Sequence, residues 1–209
     1  LPRMALKNGI PKEFRTIVVV PTLLSSRQDI GELVERLEVH YLANADDELR
    51  FALLSDWRDA SSESIPSDAE LLSAAGEGIA HLNKRYGPAA GSGLRFVLLH
   101  RRRVWNESQQ VWMGWERKRG KLHELNQWLR GSTSTTFMSV GGQLPEVIPS
   151  VRFVITLDAD TRLPRGAAHR LIGTMAHPLN RSQFDPQAGL VREGYGIVQP
   201  RITPSFPGS

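Results

Sequence analysis

The chain has 209 residues, 40% of them hydrophobic, 23% charged and 7% aromatic, which excludes disordered and collagen-like chains and leaves room for one substantial core. It contains no cysteine, which excludes disulfide scaffolds, Cys-ligated zinc, iron–sulfur clusters and thiol catalysis and fits a reducing compartment. The formal net charge is +4, and the longest apolar runs fall far short of the ~20 residues of a membrane helix.

The first residues lack both an initiator methionine and the apolar centre of a signal peptide, so the chain is expected to be a piece of a longer polypeptide. Residues 16–22 form a β-branched run ending at Pro21-Thr22, the pattern of a buried parallel strand. Ile30, Leu33, Val34, Leu37 and Tyr41 recur at helical spacing behind Ser25 and Ser26, either of which can cap the helix. Residues 49–55 predict a second strand, ending at Asp56. Ser67 and Glu70 have capping-box spacing before a helix carrying Leu71, Leu72, Ala75, Ile79, Leu82 and Tyr86, which Gly87-Pro88 stops.

Residues 94–100 predict a third strand, followed by a basic, Trp-rich stretch over 104–121 and a helix carrying Leu122, Leu125 and Leu129 that ends at Gly131. Residues 132–150 are rich in Ser, Thr, Gly and Pro without periodicity, which predicts a disordered surface loop or insertion. A fourth strand is expected over 151–157, a helix over 163–175 with Pro164 in its first turn, and a last strand over 196–202. Alternating strands and helices predict a single α/β domain over 1–209, with a mostly parallel sheet and helices on both faces. Ligands of such sheets bind beyond the carboxyl ends of the strands, where Thr22, Asp56, the 101–121 stretch and Asp158/Asp160 all fall.

Two basic clusters, Arg101-Arg102-Arg103 and Arg117-Lys118-Arg119 with Lys121, predict contact with an anion or else a solvated surface. Gly120-Lys121 is not a P-loop, because Trp115 and Leu122 stand where that motif needs Gly and Ser or Thr. His123-Glu124 is not a zinc-protease motif, because Gln127 replaces the second imidazole.

Asp158 and Asp160, two apart at a strand end, can project to one side and chelate a hard cation such as Mg²⁺ or Mn²⁺, or can be a solvated strand end with Asp160 or Thr161 capping the next helix. Asp56 is either an acceptor for a base or ribose or an ordinary loop carboxylate. Arg119 and Lys121 can reach a pyrophosphate, with Gly120 allowing close backbone approach, or can belong to a solvated basic loop. Trp105, Trp112, Trp115 and Trp128 offer faces for sugar rings or cations, or plugs for the core.

The ordered set Ile17-Val18-Val19-Val20-Pro21-Thr22, Asp56, Gly120-Lys121 with Leu125-Asn126, Leu157-Asp158-Ala159-Asp160-Thr161 and Gly196-Ile197-Val198-Gln199-Pro200 resembles the nucleotide-sugar half of processive, cellulose-synthase-like GT-A glycosyltransferases. The strings Glu116-Arg117-Lys118-Arg119-Gly120-Lys121-Leu122-His123-Glu124-Leu125-Asn126 and Glu193-Gly194-Tyr195-Gly196-Ile197-Val198-Gln199-Pro200-Arg201 look closer still to the cyclic β-1,2-glucan synthases, family-84 glycosyltransferases. The resemblance implies a truncated GT-A (Rossmann-like) fold and inverting transfer of glucose from UDP-glucose to a growing β-1,2-glucan. It implies that Thr22, Asp56 and Lys121 contact the uridine diphosphate and that Asp158 and Asp160 bind its ribose or diphosphate through Mg²⁺ or Mn²⁺. The general base is expected after the strand ending near Ile202, beyond this chain. The resemblance further implies a cytosolic module of a larger inner-membrane protein, with the rest of that protein and the glucan acceptor as partners and no nucleic acid. A basic α/β module that holds nucleic acid or an anionic membrane without chemistry is the competing expectation.

Overall fold

A computed structural model describes residues 1–140, 148 and 150–200. Its elements in chain order are β1 (Thr16–Leu24), α1 (Arg27–Ala43), β2 (Leu49–Trp57), α2 (Asp68–Tyr86), β3 (Phe96–Arg101), β4 (Val104–Asn106), β5 (Val111–Met113), α3 (Arg117–Leu129), β6 (Phe153–Thr156), α4 (Ala167–Ala176), β7 (Gln183–Asp185) and β8 (Leu190–Glu193). A four-stranded sheet in the order β3-β2-β1-β6 is parallel throughout, as the expected α/β class requires. The chain moves outward from β1 through β2 to β3, then returns to the other side of β1 as β6. That reversal is a topological switch point, where the carboxyl ends of β1 and β6 leave a crevice.

Both faces of the sheet are covered, which explains why its central strands read as continuous apolar runs rather than as alternating patterns. Val18, Val20, Phe51, Leu53, Phe96 and Leu98 pack on one side with α1 and α2 residues such as Leu37 and Ile79 and with Ile172 of α4. Ile17, Val19, Ala52, Leu54, Val97 and Leu99 pack on the other with Leu125 and Trp128 of α3. Burying each such Leu or Phe side chain contributes about 1.5–3 kcal/mol, so the two layers together hold the strand ends in register.

The starts of the helices show which local signals prevail. Ser26 caps α1, its hydroxyl accepting a hydrogen bond from the Asp29 N–H at 3.1 Å. The expected capping box at Ser67 does not form, because Ser67 is already helical. Asp68 instead accepts from the Ile65 N–H and pairs with the buried Arg103, while Glu70 turns outward to Arg27. Helix α4 begins at Ala167 rather than 163, after Gly166 in the left-handed region at φ 65°, with Pro164 accepting from the Ala167 N–H in the preceding turn.

Two further expectations are corrected. Residues 132–140 are not a disordered loop: Thr135 and Thr136 bind the Glu124 carboxylate, and residues 136–138 pair antiparallel with the end of β3. Most of 141–149 lies outside the described residues. No strand forms over 196–200, where Ile197 is 88% exposed, and the rest of that predicted strand lies outside the described residues. The ordered structure comes earlier, as the hairpin β7–β8, whose turn is set by Asp185 accepting from the Gln187 and Ala188 N–H groups.

Candidate functional site

At the carboxyl ends of the parallel strands lies a cleft of about 690 Å³, lined among others by Thr22, Asp56, Arg117, Lys118, Lys121 and Ala159. Strand β1 supplies Thr22, β2 supplies Asp56, and α3 supplies the three cations. Sequence reasoning had placed Thr22, Asp56 and Lys121 at such a rim, and the fold brings them together.

The floor of the cleft is a buried ionic network. Register sets Asp56 of β2 opposite Arg101 of β3, and the two make a bidentate pair at 2.7 and 2.9 Å. Lys121 adds its ammonium at 3.0 Å from the same carboxylate and donates to the Thr22 carbonyl at 2.6 Å. Arg101 reaches on to Glu124 at 3.2 Å and to the carbonyls of Trp115 and Arg117. Two cations and two carboxylates thus neutralise one another out of water, the condition under which buried charge is tolerated. Gly114 is required beside them, since a Cβ there would stand 2.5 Å from the Asp56 carboxyl carbon.

This network revises the meaning of the basic clusters. Arg101 and Arg103 are fully buried and their anions are internal, Asp56 and Glu124 for the first and Asp68 for the second. Burial pulls the Lys121 pKa down, opposed by Asp56, and the net shift is downward. Burial pushes Glu124 up, but hydrogen bonds from Thr135, Thr136 and Arg101 outweigh it, so its carboxyl lies below the usual range. His100, beside the network and bonded to Ser55 at 2.8 Å, is held neutral: burial first, then Lys121, Arg103 and Arg101, bring its pKa to about 3.

The remaining candidates lie outward. Strand β6 ends at Thr156, so Asp158 and Asp160 sit in an exposed turn rather than on the strand, and strand alternation does not orient them. That turn is held by the Asp158 carbonyl, which accepts from the Thr161 N–H, and by Arg36, which donates to the Ala159 carbonyl at 2.8 Å. The Asp158 carboxylate pairs with Lys118. Among the described residues, no group of three or more His, Asp or Glu side chains converges as a metal cage. Arg119 is exposed and pairs with Glu116. Gly120 is buried inside α3, where a Cβ would meet the Trp115 carbonyl oxygen at 1.8 Å, so its missing side chain serves the tight entry to the helix. At that entry Glu116 and Arg117 both hold positive φ, 52° and 45°, a strained arrangement of the kind found at binding sites.

Sequence reasoning missed Arg58 and Asp59, which line the cleft two and three residues after Asp56 and could have been found from that position, and it named Arg117 and Lys118 only as members of a basic cluster. Trp128 is core, whereas Trp105 and Trp115 face solvent. Among the described residues, no helix is long and apolar enough to cross a membrane.

No protein-family model matches the chain. Over 199 residues, 95% of its length, it is 52% identical to the cyclic beta-(1,2)-glucan synthase NdvB of Rhizobium meliloti (strain 1021), of which it spans 7%. The likeness to cyclic β-1,2-glucan synthases first carried by the motifs therefore extends over nearly the whole chain.

Proposed function

We propose that this chain is the nucleotide-sugar-binding part of an inverting glucosyltransferase module that takes UDP-glucose and extends a β-1,2-glucan, on the cytosolic side of a larger membrane protein. The observation that supports this reading most is the cation-lined cleft at the carboxyl ends of the strands, which runs from Asp56 of β2 across Thr22 of β1 to Ala159 after β6 and so borders the switch point between β1 and β6, the position that takes phosphate-bearing ligands in doubly wound sheets. The named relative lends it the sugar and the linkage.

In this reading each residue has a separate task. Asp56 and Arg101 form the rigid floor, and Asp56 orients Lys121, which fixes the Thr22 carbonyl at the end of β1. Lys118, Arg117 and Arg58 are the exposed cations available to a diphosphate. Asp158 and Asp160 offer the hard carboxylate oxygens that Mg²⁺ or Mn²⁺ prefers, on a turn open to solvent, so the donor set fits such an ion. When bound, the ion supplies neutralisation of the charge on the departing diphosphate.

The competing polyanion-binding module loses ground, because Arg101, Arg103 and Lys121 are buried and paired with internal carboxylates rather than spread over an open surface. Calorimetric titration of UDP, UDP-glucose, ADP and GDP, with Mn²⁺ and with chelator, separates the two. Metal-dependent, uridine-selective binding that is lost in Asp160→Ala is expected. Binding that ignores the metal and that substitution, yet falls steeply with salt, would overturn the proposal in favour of the polyanion module.

A further inference from the structure

The hairpin β4–β5 lies beside the cleft and has no part in the site described above. Its strands alternate, so Val104, Asn106, Val111 and Met113 share one face and Trp105 and Trp112 the other. Met113 is buried, and Asn106 donates its amide to the Met113 sulfur, so the first face looks inward. The second carries the two indoles directly opposite each other, ring centres 5.8 Å apart, with Trp105 42% exposed. The Trp105 Nε1–H is tied to the Glu107 carboxylate at 2.6 Å, which fixes that ring by its edge and leaves its faces clear of the bond.

The hairpin is also fixed to the cleft wall. Ala60, two residues beyond the cleft-lining Arg58, exchanges both backbone hydrogen bonds with Trp112 at 2.9 Å. The Arg117 guanidinium, itself lining the cleft, donates to Asp59 at 2.7 Å and to Gln109 in the hairpin turn at 2.9 Å. An exposed indole set against a half-buried one, on a frame held at two points, is the arrangement expected of a binding surface rather than of a packing remnant, because burying the indole area still open to water is favourable.

The chemistry of the patch selects its occupant. Over residues 104–113 the only charge is Glu107, and the turn between the strands carries Ser108, Gln109 and Gln110. Phosphate groups of a lipid or nucleic acid find no cation among the hairpin's own residues and meet a carboxylate beside Trp105. A pyranose ring presents a C–H face to an indole and hydroxyls to a rim of amides and hydroxyls, and it carries no charge. We propose that Trp105 and Trp112 form a stacking platform for a β-linked glucan chain alongside the cleft; the identity of the sugar rests on the proposed function above.

The test titrates the full chain with a linear β-1,2-linked gluco-oligosaccharide while following the indole Nε1–H resonances, with UDP and Mn²⁺ titrated in the same samples. Saturable shifts at Trp105 and Trp112 are expected, with affinity about tenfold weaker in Trp105→Ala and largely restored in Trp105→Phe, and with UDP binding unchanged. The platform is overturned if folded Trp105→Ala binds the oligosaccharide as tightly as the parent, or if the indoles respond to phosphatidylglycerol vesicles and not to the sugar. Absence of sugar binding by the parent chain, with its UDP binding intact, counts against the platform alone. Sugar binding that persists where UDP fails to bind supports the platform and counts against the nucleotide reading alone.

Discussion

Helix α3 sends two lysines, three residues apart, to two carboxylates on the same sheet rim, and the two pairs behave oppositely. Lys121 is 4% exposed and meets Asp56 at 2%. Lys118 is 52% exposed and meets Asp158 at 59%. The inner pair belongs to a network whose members cannot leave without stranding a buried charge. The outer pair sits in water, where each partner is readily exchanged for another ion and the net attraction is small. One rim thus combines charges fixed by folding with charges free to rearrange around a ligand, and only the second kind suits a binding and release cycle.

The sharpest way to break this contrast is Arg101→Leu, which leaves Asp56 and Glu124 facing each other's charge with only Lys121 between them. A loss of about 3–5 kcal/mol in urea-unfolding stability is expected, and adding Glu124→Gln should recover part of it, since Arg101 is the cation paired with that carboxylate and the second change removes the charge left behind. A loss below 1 kcal/mol, on the order of a surface pair, would erase the distinction between inner and outer charges.

A second effect is read from pH. Unfolded His100 binds a proton below its ordinary pKa of 6.5, whereas the folded one resists until about 3. The unfolded state therefore binds more protons across that window, and stability falls as pH falls. Between pH 7 and 5 the share from His100 is about 2 kcal/mol, and His40, lowered by burial and then by Arg36, acts in the same direction. His100→Asn, which retains a partner for Ser55, should flatten the stability–pH slope by that share; an unchanged slope would contradict the burial of a neutral imidazole.

The smallest expected change in stability is at the outer pair. Lys118→Ala should alter it by no more than about 0.5 kcal/mol, while lowering UDP affinity in low salt, with the difference shrinking as salt is raised. Equal affinity at low salt would remove Lys118 from the diphosphate site.

How much of this was legible follows from what each feature depends on. The strand at 16–22 announces itself by composition, because burial on two faces demands a continuous apolar run. The Asp56–Arg101 pair does not, because it depends on the register of β2 against β3 across 45 residues of chain, and a shift of one residue would have turned both side chains to the other face. Hence the sequence of the 101–103 cluster predicts contact with an anion or a solvated surface, without showing that the anions of Arg101 are internal and that it is among the most buried side chains. The capping box failed for a similar reason: its spacing was right locally, but Ser67 is itself helical and Glu70 pairs with Arg27, 43 residues away in the chain. Both small hairpins were missed although their turns carry signals, Asn106 to Gln110 in one and Asp185 to Gly189 in the other, because strands of three or four residues are too short to show a period. Thr22, Asp56 and Lys121 were found as neighbours because chain topology alone sends strand ends to one rim.

The return of residues 136–138 to the end of β3 has one more consequence. Arg102 donates its backbone N–H to Thr136, and Met138 donates to His100, so the carboxyl half of that outer strand is already paired and cannot template another chain. At the opposite side, β6 is partly exposed and, among the described residues, pairs only with β1. A further strand is therefore blocked along the carboxyl half of β3, whereas among the described residues the edge beyond β6, on the flank where Asp158 and Asp160 stand, is open to one.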